Sequence, residues 1–258
     1  MTAFTADYPA ATVMPSPNHG ERAGGRRPDM ILLHYTGMPS ADGALTWLCS
    51  EESQVSSHYF VFEDGRVLQL VPEARRAWHA GKSQWKGEGD INSCSIGIEI
   101  ANPGHPGGLP DFPAAQIAAV AELCRNCGER WGIVPERVLG HSDVAPIRKV
   151  DPGENFPWKR LHEAGVGHFV DPTPITGGRF FQRGDQGQPV EALQAMLSLY
   201  GYATEINGLF DDRTEGDVAA FQRHFRPLRV DGIADFSTID TLHRLLKGLP
   251  HRSDPAAS

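Results

Sequence analysis

The chain has 258 residues and a formal net charge of −8, from 24 basic and 32 acidic residues. This length is enough for one sizeable domain plus a small one. The acidic balance argues against nucleic acid as the main partner, because phosphate binding favours clustered Lys and Arg. No apolar run approaches the roughly 20 residues of a membrane-spanning helix. We therefore expect no membrane span, and we also expect a monomer.

The first 28 residues are rich in Pro, Gly, Ala and Ser and are predicted to form an extended lead-in. Residues 1–20 contain neither Lys nor Arg and lack an apolar h-region, so no secretory signal is visible. By this criterion we expect a cytoplasmic protein. Export by another route, or a signal segment that was removed from the numbered chain, are the alternatives.

Residues 29–170 show strands that alternate with helices, which is typical of an α/β domain around a central mixed β-sheet flanked by helices. A β-hairpin is predicted because two apolar runs flank Asp64-Gly65, a favoured turn. The predicted strands are residues 30–34, 58–62, 67–71, 95–100 and 138–140, and the predicted helices are 43–50 and 114–131.

The pattern changes after a Pro-, Gly- and Thr-rich linker at residues 171–180. Residues 181–247 are predicted to form a small bundle of three helices, and residues 248–258 a tail. Two similar turns precede the second and third helices, at residues 207–214 and 231–238, an offset of 24. The Asp or Thr in each turn can cap the helix that follows. The predicted helices are residues 190–200, 217–225 and 237–246.

Cys124 and Cys127 have the CxxC spacing of a zinc knuckle or a redox pair. They lie inside the predicted helix 114–131, and the sequence has no second CxxC to complete a four-thiolate site. We interpret them as small residues on a helix face, with the metal or redox role as the alternative.

A hydrolytic zinc site needs three protein ligands and a fourth position open to water. His34 closes a predicted buried strand, His141 follows another, and Asp151 stands ten residues later. Ligands in such places fit a site on the rim of a sheet. Spacing alone is weak evidence, because a chain with 11 histidines offers many other trios.

Six short motifs around these residues make the trio more specific. In chain order they are Leu33-His34-Tyr35-Thr36, Ser57-His58-Tyr59, Ala77-Trp78-His79-Ala80-Gly81, Ile96-Gly97-Ile98-Glu99, Gly140-His141-Ser142-Asp143 and Lys149-Val150-Asp151-Pro152-Gly153. With them, residues 28–165 closely resemble the type 2 N-acetylmuramoyl-L-alanine amidases, the AmpD/AmiD-like family. The resemblance implies that His34, His141 and Asp151 bind Zn²⁺ and that Glu99 and Lys149 act in catalysis.

The implied reaction is hydrolysis of the amide bond between the lactyl group of N-acetylmuramic acid and L-alanine of the stem peptide, in peptidoglycan or muropeptides. Glu99 is expected to take a proton from the attacking water and pass it to the leaving amine. Lys149, with Zn²⁺, is expected to stabilise the oxyanion. The alternatives are a structural ion pair for Glu99 and a solvated loop lysine for Lys149. Ser142 and Asp143 are expected to orient His141.

Three further residues are predicted to bind substrate. Trp78 and His79 can pack against a sugar or peptide, with core packing as the alternative, and Asn102 can hydrogen-bond to the stem peptide. Branches of the family differ in the loops at residues 82–93 and 102–113. We expect these loops to set substrate length and any requirement for anhydro-muramyl ends.

The C-terminal segment resembles the peptidoglycan-binding-domain-1 family of three-helix modules. The motifs are Arg183-Gly184-Asp185-Gln186-Gly187, Leu193-Gln194, Tyr200-Gly201-Tyr202, Asn207-Gly208-Leu209-Phe210-Asp211, Phe221-Gln222 and Val230-Asp231-Gly232-Ile233-Ala234-Asp235. A tether of this kind raises the effective concentration near a polymeric wall, and it makes the periplasm or cell envelope a plausible location. We expect its removal to reduce sacculus binding and to spare soluble muropeptides, whereas a stabilising helical cap is the alternative.

Two other functions compete with the amidase. A peptidoglycan-recognition protein would bind without cutting, but the metal ligands, Glu99 and Lys149 are all present here. A zinc peptidase that cleaves within the stem peptide is disfavoured, because the sequence has no HExxH motif.

Overall fold

The computed structural model describes residues 4–249, so most of the predicted tail, residues 250–258, lies outside the described residues. The strands are β1 (Thr12–Val13), β2 (His19–Glu21), β3 (Met30–Tyr35), β4 (Tyr59–Val61), β5 (Val67–Gln69), β6 (Arg75–Ala77), β7 (Ser95–Ile100) and β8 (Val138–Gly140). The α-helices are α1 (Ala41–Leu48), α2 (Ile91–Cys94), α3 (Ala114–Trp131), α4 (His141–Val144), α5 (Trp158–Glu163), α6 (Gln188–Tyr200), α7 (Asp212–Phe225) and α8 (Phe236–Lys247).

The central sheet has the order β1-β5-β4-β7-β3-β8. Strands β4, β7, β3 and β8 run parallel to one another, whereas β5 is antiparallel to β4 and forms the predicted hairpin. Strands β3 and β7 are almost continuously apolar because they are buried in the middle of the sheet. The structure confirms the predicted α/β class with a mixed central sheet flanked by helices.

The parallel strands end at one edge of the sheet, and this edge carries the polar side chains. His34 lies beside Glu99 in the register of β3 and β7, and His141 directly follows β8. The carboxyl ends of neighbouring parallel strands are a common place for a site in an α/β sheet.

The N-terminal segment is part of the catalytic domain and not a lead-in that precedes it. Strand β1 pairs with β5, and β2 pairs with β6, so backbone groups of the segment bond to the edges of the sheets. Arg22 is buried, and its guanidinium donates to the carbonyl oxygens of Glu73, Ser93 and Ser95.

Helices α6, α7 and α8 form the C-terminal module. Asp211 and Asp235 accept hydrogen bonds from the backbone N–H groups of Thr214 and Thr238, as expected for the caps of α7 and α8. No helix within residues 4–249 is both long and apolar enough to cross a membrane.

The module packs directly on the catalytic domain, and the two share one hydrophobic core. Trp85 from the catalytic domain is fully buried, with its ring 5.0 Å from that of Tyr202. The ring of Trp158 stacks on His224 with 3.6 Å between centroids. A flexible tether does not describe this arrangement, because the partners on both sides are buried.

Candidate metal centre

Three donor atoms converge at the carboxyl edge of the sheet. The Nδ1 atoms of His34 and His141 lie 3.0 Å apart, and each lies 3.0 Å from Oδ2 of Asp151. All three side chains are buried. Ligands of a tetrahedral zinc ion at 2.0–2.1 Å are separated by about 3.3 Å, so this set of two imidazoles and one carboxylate fits Zn²⁺.

The hydrogen bond at Nε2 of His141, the ring nitrogen that points away from the other two donors, fixes the tautomer of this ring. Its Nε2 lies 2.9 Å from the carbonyl oxygen of Ala80, which can only accept a hydrogen bond. In the neutral ring the proton is therefore on Nε2 and the lone pair is on Nδ1. The side chain of Arg148 donates to the same carbonyl at 2.7 Å and holds it in place.

A chain of hydrogen bonds fixes His34 in the same way. Ser95 donates from Oγ to the carbonyl of Ile91 at 2.6 Å, so its oxygen is left to accept from Nε2 of His79 at 3.3 Å. His79 then has its lone pair on Nδ1, which lies 3.1 Å from Nε2 of His34. The proton of His34 is thus on Nε2, and its Nδ1 lone pair is directed at the other two donors.

For His34 and Asp151 the electrostatics favour the protonation states that a metal requires. Burial, with the neighbouring His141, lowers the pKa of His34 to about 4. Burial alone would raise the pKa of Asp151, but His141 and His34 outweigh it and hold that pKa well below its usual range. Neutral imidazoles and an ionised carboxylate are the forms that bind cations.

Glu99 stands beside this cluster. Burial, reinforced by the charge of Asp151, raises the pKa of Glu99 to about 8. Among residues 4–249 its buried Oε2 atom has no hydrogen-bond partner, so one carboxyl oxygen is available to a ligand. A carboxyl group that titrates near neutral pH is suited to proton transfer.

The cluster opens into a cavity of about 480 Å³. Glu99, Trp78, His79 and Lys149 line it together with the three donor residues. The cavity also has an apolar wall that the sequence analysis missed, made by Met38, Trp47, Leu48 and Val55. No sequence signal singled out Trp47, because its 45% exposure at the cavity on helix α1 becomes visible only in the structure.

The predicted contact of Asn102 with substrate does not follow from the structure, because this residue is not part of the cavity wall. Its amide nitrogen donates to the carbonyl of Pro110, and its amide oxygen accepts from the N–H of Gly104. Asn102 therefore holds the loop that follows β7. His79 lines the cavity, but its Nδ1 faces His34, so its ring supports a donor residue.

Comparison with known proteins identifies both parts of the chain. The family described as "N-acetylmuramoyl-L-alanine amidase" matches residues 24–154, and the one described as "Putative peptidoglycan binding domain" matches residues 186–242. The N-acetylmuramoyl-L-alanine amidase AmiD of Escherichia coli is 36% identical over 237 residues, which span 84% of this chain and 82% of AmiD.

Solved structures resemble the whole arrangement. That of Escherichia coli AmiD with the substrate anhydro-N-acetylmuramic acid-L-Ala-D-γ-Glu-L-Lys has a TM-score of 0.73 and 34% identity, and the match covers 88% of this chain and 91% of that one. AmpDH3 from Pseudomonas aeruginosa gives a TM-score of 0.71 at 30% identity, over 95% of this chain and 98% of that one. The chain therefore belongs to the N-acetylmuramoyl-L-alanine amidase family.

Proposed function

We propose that this protein hydrolyses the amide bond between the lactyl group of N-acetylmuramic acid and L-alanine of the stem peptide, with Zn²⁺ held by His34, His141 and Asp151. The observation that carries the proposal is the triangle of three donor atoms at 3.0 Å spacing, beside the unpartnered carboxyl oxygen of Glu99 in one cavity.

Zn²⁺ bound to these residues would supply Lewis-acid activation of a water molecule and of the scissile carbonyl. Glu99, whose buried Oε2 has no hydrogen-bond partner among the described residues, takes the proton from the attacking water and delivers it to the amine that leaves. Lys149 lines the cavity, and its cation stabilises the negative charge that develops on the carbonyl oxygen.

Two relatives support muropeptides with an anhydro-muramic end as substrates. The structure of AmiD contains such a tripeptide substrate, and AmpDH3 was solved with an anhydromuramic pentapeptide. In this chain the apolar wall that includes Trp47, together with Trp78, offers a surface for a sugar or an alanine methyl group. The C-terminal module supports action on the polymeric wall as well, because a wall-binding module would keep the enzyme close to many scissile bonds.

The test is digestion of purified sacculi and of an anhydromuramyl tripeptide by the full chain after its zinc content has been measured. We expect intact stem peptides to be released, with loss of activity in a chelator and recovery on addition of Zn²⁺. Products cut within the stem peptide would replace the proposal by a peptidase. Binding to sacculi without release, by protein that contains zinc, would replace it by a non-catalytic recognition function.

A further inference from the structure

The C-terminal module contacts the short helix that begins with a proposed metal ligand. Asp143 lies two residues after His141 in α4 and is 1% exposed. Its Oδ1 accepts a hydrogen bond from the hydroxyl of Tyr202 at 2.8 Å, and its Oδ2 lies 2.7 Å from Nδ1 of His224. A third hydrogen bond comes from the backbone N–H of Gly140 at 2.8 Å. Within the described chain, two of the three partners of this carboxylate thus belong to the module.

These hydrogen bonds are shielded from water, so each of them is electrostatically stronger than it would be at the surface. His224 is buried, and its ring lies between Trp158, at 3.6 Å, and Phe225, at 3.7 Å between centroids. Tyr202 is also buried. A buried carboxylate that loses one partner keeps the cost of its desolvation, so the loss destabilises the position of the segment that carries it.

A second connection reaches the outer side of His141. The carbonyl of Ala80 accepts from Nε2 of His141, and five residues later Trp85 is buried against the rings of Tyr200 and Tyr202. The backbone N–H of Lys86 donates to the carbonyl of Gly201 at 2.8 Å. The loop that supplies the hydrogen-bond acceptor of His141 is therefore attached to the module as well.

The same loop is joined to α4. The backbone N–H of Gln84 donates to the carbonyl of Val144 at 2.8 Å, one residue after Asp143. The helix that carries His141 and the loop that holds its outer nitrogen thus form one unit, and the module covers both. Such outer contacts orient metal-binding histidines.

We propose that Tyr202 and His224 are positioning residues for His141, acting through Asp143, so that the module is a working part of the metal centre and not only a wall-binding unit. The inference rests on the proposed function, because it assumes that His34, His141 and Asp151 bind Zn²⁺. It predicts that a change inside the module, at residues outside the cavity wall, alters metal affinity.

The test is Tyr202→Phe in the full chain, which removes one hydroxyl and keeps the ring against Trp85. We expect the Kd for Zn²⁺, measured by competition with a chromophoric chelator, to rise by roughly threefold to tenfold. The double variant Tyr202→Phe/His224→Gln should raise it by more than about tenfold. The visible absorption spectrum of the Co²⁺-substituted protein should change in both, because it reports on ligand geometry.

Thr204→Val is the matched control. The hydroxyl of Thr204 donates to the buried carboxylate of Asp217 at 2.7 Å, and this bond lies within the module. Like Tyr202→Phe, the control removes one hydroxyl group that donates a hydrogen bond to a buried carboxylate, and it should lower the Tm. It should leave the Kd for Zn²⁺ and the Co²⁺ spectrum unchanged.

Linkage supplies a second measurement that does not depend on a variant. If packing of the module on the catalytic domain raises the affinity for Zn²⁺, then bound Zn²⁺ must stabilise that packing by the same free energy. Hydrogen exchange of the amides in α7 should therefore be slower with Zn²⁺ than in a chelator.

Each outcome has a defined meaning. If Tyr202→Phe and Thr204→Val lower the Tm alike and neither changes the zinc affinity, the positioning role is wrong and the module only stabilises the fold. If the hydrogen-exchange rates of the α7 amides are the same with Zn²⁺ and in a chelator, the positioning role is also wrong. This result does not require a variant that folds. Failure of the unchanged protein to bind Zn²⁺ overturns the proposed function instead.

Discussion

The outer nitrogen of His34, Nε2, lies 3.1 Å from Nδ1 of His79. This contact changes the interpretation of His79, which the sequence analysis placed against substrate. Because Ser95 occupies the other nitrogen of His79, the ring has a defined tautomer and gives His34 an acceptor. His79 therefore orients His34, a proposed metal ligand, and part of its side chain also lines the cavity.

Replacement of His79 by Phe is expected to keep a ring of similar size and to remove the acceptor for His34. The N–H of His34 would then be buried without a partner, and its ring would be free to rotate. We expect the zinc affinity to fall by roughly 10–100-fold, as measured by competition with a chelator.

His162→Phe is a suitable control for this substitution, since His162 lies on α5 and its Nδ1 faces the carbonyl of Gly167. It should leave zinc affinity unchanged. Equal zinc affinity in the two variants would restore His79 to a purely substrate-facing or packing role.

Glu99→Gln is expected to separate metal binding from proton transfer. The amide has nearly the same shape as the carboxyl group, and Glu99 is not one of the three donors, so the bound zinc should stay at one equivalent. Turnover should fall by roughly 10²–10⁴-fold, because the amide cannot take the proton of the attacking water. The control is Glu63→Gln in the exposed hairpin turn, which should be fully active. Retained turnover in Glu99→Gln would remove this residue from the mechanism.

The same substitution makes a prediction about stability of the metal-free protein. Burial raises the pKa of Glu99 from 4.5 to about 8, so between these values the folded state holds a proton that the unfolded state has released. The contribution of protonated Glu99 to the free energy of unfolding is therefore complete below pH 4.5, and it is lost as the pH rises to 8. The neutral amide does not suffer this loss.

Urea unfolding in a chelator measures this effect directly. The free energy of unfolding of Glu99→Gln relative to the unchanged protein should rise by about 2–4 kcal/mol between pH 5 and pH 8. A difference that does not vary with pH would show that Glu99 ionises in the folded protein as easily as in water.

The strands and helices of the sheet were predictable because their patterns are local. Strand β7 and helix α3 have the predicted bounds, since one is an almost unbroken apolar run and the other repeats apolar residues at helical spacing. The proximity of His34 to Glu99 also follows from sequence once both are placed at the ends of adjacent parallel strands. The short strands of the N-terminal segment have two or three residues each, too few for a pattern to show.

The contacts between the domains could not be predicted, because they depend on how two separately patterned segments meet. Asp143 and Tyr202 are 59 residues apart, and neither carries a local signal of the other. The Gly-Tyr pair at the end of α6 was assigned to the wall-binding motif, although Tyr202 faces the catalytic domain. Removal of the module would uncover Trp85, Trp158 and Asp143, so the predicted sparing of muropeptide cleavage requires a catalytic domain that stays folded without these contacts.

Gly201 offers the last prediction, because its missing side chain is what lets the module approach Trp85. A Cβ atom at this position would lie 2.3 Å from Cε2 of Trp85, a ring that is fully buried and cannot move aside easily. We expect Gly201→Ala to reduce the free energy of unfolding by about 2–4 kcal/mol, through this overlap and the strain of its backbone at φ 150.

Gly178→Ala separates these two causes. Gly178 has a similar φ of 144, and a Cβ atom there would have no atom within 4 Å, so only the backbone cost of about 1 kcal/mol is expected. The excess in Gly201→Ala, measured by urea unfolding, then reports the packing of Trp85 against the module. Equal losses in the two variants would mean that this packing is loose and that the module can shift away from the catalytic domain at little cost.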